Sequence, residues 1–152
     1  MRKIIAFIGG GNMTNCLATA LIKKGYPTDC IIVSSRDQTK LTDLTTRLSL
    51  KMAKTNSEAI ADADIVILAV KPSVIKTVCE ETAAAIAIKK PLIISLATGI
   101  NVTSMATWLG NDKLGIVRTM SNTPTKVGLG MTVLFANEAV TEEQRKDIEN
   151  IF

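Results

Sequence analysis

The chain has 152 residues, enough for one domain with a substantial buried core, and 47% of them are hydrophobic although only 3% are aromatic. Its net charge of +4 is scattered without a basic run and it holds no histidine. This excludes a Ser-His-Asp site, removes the commonest metal ligand, and argues against nucleic-acid binding. No apolar run reaches membrane-spanning length, so we predict no membrane partner. We also predict a cytoplasmic protein and, because histidine is absent, no metal site.

The first part of the chain alternates short apolar runs with helical patterns. Leu41, Leu44 and Leu48 share one helical face, and Asp37 stands where an N-cap belongs. For a later short helix we expect Asn56 or Ser57 near the cap. In chain order, the pattern predicts a strand at 3–8, a helix at 12–24, a strand at 30–34, a helix at 37–48, a short strand at 51–53 and a helix at 56–61.

The second part continues the alternation. Residues 64–70 form the clearest strand pattern, and Thr141 with Gln144 three residues later predicts a capping box. The predicted elements are a strand at 64–70, a helix from 72 to about 88, a strand at 91–96, a helix at 102–109, strands at 114–118 and 131–135, and a helix at 141–152. Strands alternating with helices predict an α/β fold with a Rossmann-like doubly wound, mostly parallel sheet.

Three consecutive glycines separate the first strand from the first helix. The segment Gly9-x-Gly11-x-x-Thr14 matches the dinucleotide-binding pattern, except that threonine replaces the third small residue. The first glycine permits the tight turn, and the second lets a pyrophosphate approach the helix N-terminus. Thr14 is larger than the usual residue, so we expect the helix to sit slightly farther from the strand. A glycine turn without a ligand is the alternative.

The end of the second strand bears on the choice of cofactor. An acid there would bind the ribose hydroxyls of NAD, whereas this strand ends in Ser34, Ser35 and Arg36. Two hydroxyls and a guanidinium suit a ribose 2′-phosphate, so we predict a preference for NADP(H), with NAD(H) as the alternative. Asp37 is the counter-evidence, which we interpret as a helix cap, and Arg36 could instead be a surface charge.

Further polar segments follow the ends of later strands, where open α/β sheets bind ligands. They are the segment from Ala69 to Pro72, the segment at 95–99, and Asn122-Thr123-Pro124. Lys71 could meet a phosphate or carboxylate, or simply be exposed. The Asn-Thr-Pro segment could line a cleft, or be a turn that precedes two glycines.

Four segments together resemble the pyrroline-5-carboxylate reductase family. They are IGGGNM at residues 8–13, LAVKP at 68–72, SLATGI at 95–100 and RTMSNTPTKVGLGMT at 118–132. Their order and spacing are similar to the family's, over essentially the whole chain. The resemblance implies a Rossmann domain that binds NADPH or NADH.

The resemblance also implies roles for individual residues, while it assigns no catalytic residue. It places Gly9, Gly11, Asn12 and Met13 at the pyrophosphate, Ser34 and Arg36 at the adenosine end, Asn56 near the adenosine ribose, Ala69, Val70, Lys71 and Pro72 along the nicotinamide half with Ala97 behind them, and Asn122, Thr123 and Pro124 near the substrate.

The reaction implied is hydride transfer to the C=N carbon of 1-pyrroline-5-carboxylate, a small imino acid, giving L-proline. The family's C-terminal helical domain, through which its members form homo-oligomers, is absent from residues 1–152, and we expect an exposed apolar patch where such a domain would dock. Two alternatives stay open: a related Rossmann reductase of the hydroxy-acid dehydrogenase type, and a nucleotide-binding fragment without catalytic activity.

Overall fold

The computed structural model describes residues 3–121 and 132–152, with strands and helices that we number in chain order. The strands are β1 (Ile5–Ile8), β2 (Ile31–Ser34), β3 (Lys51–Met52), β4 (Ile65–Leu68), β5 (Leu92–Ser95), β6 (Ile116–Ser121) and β7 (Thr132–Ala136). The α-helices are α1 (Asn12–Lys23), α2 (Gln38–Leu48), α3 (Asn56–Ala61), α4 (Ile75–Lys89), α5 (Val102–Trp108) and α6 (Glu142–Ile151). Single 3-10 turns precede β2 (Thr28–Cys30) and α4 (Pro72–Val74).

In the described residues the strands form one sheet in the order β3-β2-β1-β4-β5-β6-β7. Each neighbouring pair is parallel except β6 and β7, which pair antiparallel. The chain runs outward from β1 through β2 to β3, and then resumes with β4 on the other side of β1. The strand order therefore reverses between β1 and β4. This confirms the predicted doubly wound, mostly parallel sheet.

Helices cover both faces of the sheet, so the four central strands are buried on both sides. Along β1, Ile8 packs in a cluster with residues of α3, α4 and α5, while Phe7 packs in a second cluster with residues of α1, α2 and α6. Every residue of β1, β2, β4 and β5 is buried. This is why these strands appear in the sequence as unbroken apolar runs rather than as alternating patterns.

The helix predicted at 56–61 is confirmed as α3, and Asn56, expected near its cap, lies directly after the cap. The cap is Thr55, whose hydroxyl accepts a hydrogen bond from the Glu58 backbone N–H at 3.1 Å. In return, the Glu58 carboxylate accepts from the backbone N–H of Lys54 at 2.8 Å. Threonine is a good cap, and an acid three residues later strengthens it. The Thr55–Glu58 spacing was therefore the relevant pattern in the sequence.

The strand predicted at 64–70 ends earlier, at Leu68, and the helix predicted from residue 72 begins as the 3-10 turn before α4. Pro72 occupies the first position of that turn, where its missing N–H costs no helical hydrogen bond. The strand predicted at 114–118 instead spans Ile116–Ser121, because pairing with β7 extends it. These shifts leave the number and order of the predicted elements unchanged.

Exposed apolar side chains lie on one face of the antiparallel β6–β7 pair. Met120 is 55% exposed and faces Val133, which is 65% exposed, across the pair. Phe135 is 62% exposed and lies opposite Arg118. The three apolar side chains line one shallow depression together with Arg118, so an exposed apolar patch lies at this edge of the sheet. That a further domain docks there stays a prediction.

In the described parts of the chain, none of the helices combines the length and the apolarity that crossing a membrane requires. The same residues contain no group of three or more metal-ligating side chains placed to bind a metal ion.

The capping box predicted for α6 is confirmed and gives a stability test. The Thr141 hydroxyl accepts from the Gln144 backbone N–H at 3.2 Å, and the Gln144 side-chain oxygen accepts from the Thr141 N–H at 3.0 Å. We expect Thr141→Ala to lower the free energy of unfolding by about 1 kcal/mol, measured by urea denaturation. Thr141→Ser is the control that keeps the acceptor, and equal losses in both variants would contradict the role of the hydroxyl.

Candidate functional site

A cleft of about 310 Å³ opens at the carboxyl ends of β1, β2 and β4. It lies where the strand order reverses, which is the usual ligand site of an open α/β sheet. The residues that line it are Ile8, Gly9, Ser35, Arg36, Asp37, Asn56, Ala69, Val70, Lys71, Val74 and Val78. Seven of these are residues that the sequence analysis assigned to a cofactor: Gly9, Ser35, Arg36, Asn56, Ala69, Val70 and Lys71.

Gly9 is required by the fold itself. Its φ is +113°, a backbone conformation that residues with a side chain rarely adopt. A Cβ at this position would lie 2.5 Å from the carbonyl oxygen of Ala69 and 2.9 Å from its carbon. The Gly9 N–H also donates to the Ser34 carbonyl at 2.8 Å. Gly9 therefore joins the ends of three strands at one point.

Gly11 is not required by the fold in this way. It is the N-cap of α1, with a φ of −86° that any residue adopts. A Cβ there would meet no atom of the described residues within 4 Å. Gly11 is exposed, and the open space beside it has room for a ligand.

The N-terminus of α1 supports that interpretation. Within the described structure, no side chain caps the helix, and no acid lies in its first turn. Asn12 is exposed and Met13 is half-buried in that turn. The first N–H groups of a helix have no partner inside the helix, and they carry a partial positive charge. An anionic group beside Gly11 would accept hydrogen bonds from these N–H groups and would be attracted by their positive charge.

Thr14 is accommodated within the turn rather than excluded from it. Its side chain is completely buried, and its hydroxyl donates to the carbonyl oxygen of Gly9. The hydrogen bond closes the segment between strand and helix, a contact that the usual smaller residue cannot make. The extra volume of threonine is thus accompanied by a polar contact that satisfies the hydroxyl.

Ser34 and Ser35 play different parts at the end of β2. The Ser34 side chain is buried, and its hydroxyl donates to the Asn56 side-chain oxygen at 2.8 Å. Asn56 lines the cleft and Ser34 does not. Ser35 lines the cleft, and its hydroxyl accepts weakly from the Asp37 N–H at 3.3 Å. Ser34 thus orients Asn56 from behind, while Ser35 faces the cleft.

Two of the charged residues that line the cleft, Arg36 and Asp37, form ion pairs. Arg36 Nη2 lies 3.5 Å from Glu81 Oε1 of α4, and the two side chains are 69% and 51% exposed. Asp37 caps α2 by accepting from the Lys40 backbone N–H at 3.1 Å, which confirms its interpretation as a cap. That hydrogen bond, with the Lys40 ammonium beside it, lowers the pKa of Asp37 below its usual value.

The remaining predicted residues lie nearby or outside the described part. Lys71 and Pro72 are exposed at the end of β4, and Ala97 is buried beyond β5, where its N–H donates to the Ser95 hydroxyl at 3.2 Å. The predicted substrate residues Asn122, Thr123 and Pro124 lie outside the residues that the structure describes.

Sequence analysis missed one wall of the cleft. Val74 and Val78 line it from the 3-10 turn and α4, and Glu81 stands one turn farther along. The four-residue spacing of Val74 and Val78 is typical of one helical face, but it does not say which strand ends that face meets.

Gly9 and Gly11 provide a paired stability test. We expect Gly9→Ala to lower the free energy of unfolding by about 3 kcal/mol or more, because the methyl group would be strained and would collide with Ala69. Gly11→Ala is the matched control and should cost no more than about 1 kcal/mol. Thermal and urea unfolding measure the loss in each variant. Equal losses in the two variants would contradict the view that the fold requires glycine at residue 9 but not at residue 11.

Three comparisons place the chain among known proteins. Residues 4–99 match the family described as NADP oxidoreductase, coenzyme F420-dependent. A pyrroline-5-carboxylate reductase from Vibrio alginolyticus is 38% identical over 143 residues, which cover 94% of this chain and 52% of that protein. The chain thus spans about half the length of the curated relatives it matches.

Solved structures agree with the sequence comparisons. A pyrroline-5-carboxylate reductase from Coxiella burnetii superposes with a TM-score of 0.94 at 40% identity, covering 99% of this chain and 56% of that one. A pyrroline carboxylate reductase from Plasmodium falciparum, solved with NADP bound, gives a TM-score of 0.83 at 25% identity and covers 99% and 54%. In both cases the match covers about half of the solved chain.

Proposed function

This chain belongs to the family described as NADP oxidoreductase, coenzyme F420-dependent, and we propose that residues 1–152 form the NADP(H)-binding domain of a pyrroline-5-carboxylate reductase. The observation that carries the proposal is the open space at Gly11 beside the uncapped N-terminus of α1. Both features are explained if the pyrophosphate of a dinucleotide lies against the backbone there.

The residues present fit this cofactor. Gly11 leaves room for the diphosphate, and the N–H groups at Asn12 and Met13 supply donors and partial positive charge to it. Gly9 holds the turn between β1 and α1 in place. A side chain at residue 11 would fill the space that a phosphate needs.

At the adenosine end, Ser35 and Arg36 are the proposed ligands of a ribose 2′-phosphate. The Ser35 hydroxyl and the Arg36 guanidinium both line the cleft beyond β2. The guanidinium offers several donors in one plane, which matches phosphate geometry. Asn56, oriented by Ser34, is proposed to bind the ribose itself.

Toward the other end, Ala69, Val70, Lys71 and Pro72 are proposed to contact the nicotinamide half, with Ala97 behind them. When bound, the reduced cofactor supplies a hydride to the C=N carbon of 1-pyrroline-5-carboxylate. The chain's own part is to orient the cofactor and to exclude water with the apolar wall formed by Val70, Val74 and Val78. We propose Asn122, Thr123 and Pro124 as residues near the substrate.

Relatives support this assignment over its alternatives. The Vibrio alginolyticus and Coxiella burnetii proteins carry the name pyrroline-5-carboxylate reductase, and the Plasmodium falciparum protein of that kind was solved with NADP. Because the chain spans about half their length, the activity is proposed for the reductase as a whole. We also propose that the reductase is cytoplasmic and forms homo-oligomers. The AVKP and RTMSNTP segments favour this reductase over a hydroxy-acid dehydrogenase.

The first test is calorimetric binding of NADPH and NADH at matched ionic strength. We expect NADPH to bind more tightly, and Arg36→Ala to weaken NADPH binding about tenfold, because it removes a charge-assisted contact with the 2′-phosphate. NADH binding should change less than twofold. Arg145→Ala is the control, since it removes an exposed arginine of α6 that pairs with Glu142 instead.

Binding of neither cofactor would overturn the proposal, and equal losses for NADPH and NADH would overturn the assignment of Arg36. Gly11→Ala should weaken both cofactors together, because the diphosphate is common to them.

The substrate class is tested by turnover, followed through the absorbance of the reduced nicotinamide. We expect any oxidation of NADPH to depend on 1-pyrroline-5-carboxylate, and no reduction of NADP by 3-hydroxy acids. The opposite pattern would favour the hydroxy-acid dehydrogenase alternative. Cofactor binding without turnover of either substrate would favour the nucleotide-binding fragment.

A further inference from the structure

One ion pair crosses the rim of the cleft. Arg36 follows the end of β2, and Glu81 lies in the middle of α4. The Arg36 Nη2 atom is 3.5 Å from Glu81 Oε1. Val78, one turn before Glu81, is buried against the cleft wall. The Glu81 carboxylate therefore stands at the edge of the cleft, next to the guanidinium that lines it.

Neighbouring charges are paired elsewhere. The Asp37 carboxylate lies 3.1 Å from the Lys40 ammonium, and Glu80 lies 3.8 Å from Lys76 on its own helix. Among the ion pairs of the described residues, Glu81 is the acid that faces Arg36. The guanidinium is thus paired with a carboxylate from a different element.

We propose that Glu81 is a positioning residue that limits the preference for NADP(H) by competing with the ribose 2′-phosphate for Arg36. The inference rests on the proposed function, because it concerns the same cleft, and it adds a residue of α4 that the dinucleotide pattern does not contain. NADH lacks the 2′-phosphate and leaves the ion pair in place.

The negative charge of Glu81 explains why it should weaken the binding of ligands that carry a 2′-phosphate. A 2′-phosphate that reaches Arg36 comes close to the Glu81 carboxylate, and two like charges repel each other at that range. The guanidinium must also turn its donors from the carboxylate to the phosphate. Both side chains are more than half exposed, so the pair is weak enough to open. Glu81 therefore lowers affinity for ligands with a 2′-phosphate, without preventing their binding.

The test compares Glu81→Gln with wild type, using NADPH, NADH, adenosine 2′,5′-bisphosphate and AMP as calorimetric probes. Glutamine keeps the size of the side chain and removes its charge. We expect binding of NADPH and of the bisphosphate to strengthen about threefold, as is typical of an exposed charge interaction. NADH and AMP should change by less than a factor of two. The gain should shrink as salt is raised, because both charges are exposed.

Glu80→Gln is the matched control. It makes the same change one residue earlier on α4, where the carboxylate pairs with Lys76 rather than with Arg36. Its ratio of NADPH to NADH affinity should stay at the wild-type value. In an Arg36→Ala background, Glu81→Gln should give less than half of its gain, since there is then no guanidinium to compete for.

The outcomes separate the two proposals. If wild type prefers NADPH and Arg36→Ala abolishes the preference, but Glu81→Gln leaves the ratio unchanged, the role of Glu81 is wrong and the cofactor site stands. Weaker NADPH binding in Glu81→Gln would also overturn it, because Glu81 would then help Arg36 to bind phosphate. If wild type binds none of the four probes, the proposed function and this inference are both overturned.

Discussion

The close approach of Gly9 to the Ala69 carbonyl is the contact on which the rest of the site depends. A Cβ at residue 9 would lie 2.5 Å from that oxygen, so the ends of β1 and β4 meet only because no side chain stands between them. The Gly9 N–H reaches the Ser34 carbonyl as well, and its own carbonyl accepts from Thr14. The ends of three strands and the start of α1 are thereby held together at the reversal of strand order.

The cleft formed there has a different electrostatic character at each side. Beside Gly11, the positive potential comes from the backbone N–H groups at the N-terminus of α1, whose positions are fixed by the helix. At the end of β2 it comes from the Arg36 side chain, which Glu81 already contacts. Under the proposed function, a diphosphate would meet this fixed set of donors, and a ribose 2′-phosphate would meet the adjustable Arg36 side chain. On that proposal, affinity for the diphosphate and preference between the two cofactors depend on separate groups.

Most elements could be predicted because their causes are local. Asp37 and Thr141 cap helices through bonds that span three residues, and the buried strands form continuous apolar runs. Asn56 and Ser57 indicate the region of the α3 cap, which Thr55 fills by accepting from the Glu58 N–H. The glycine pattern led to the correct strand end, since its spacing reflects one turn. Val74, Val78 and Glu81 were missed because they reach the cleft through the packing of α4 on the sheet.

By itself, the sequence determined the order of strands and helices, the doubly wound class, and the residues of the glycine turn. The elements and the glycine turn depend on residues near one another in the chain, and the alternation of strands with helices indicates the doubly wound class. Tertiary structure alone decided that Ser34 lies behind Asn56 and that Arg36 faces Glu81. Those contacts arise where β2, α3 and α4 converge from distant parts of the chain, and residue spacing carries no information about that convergence.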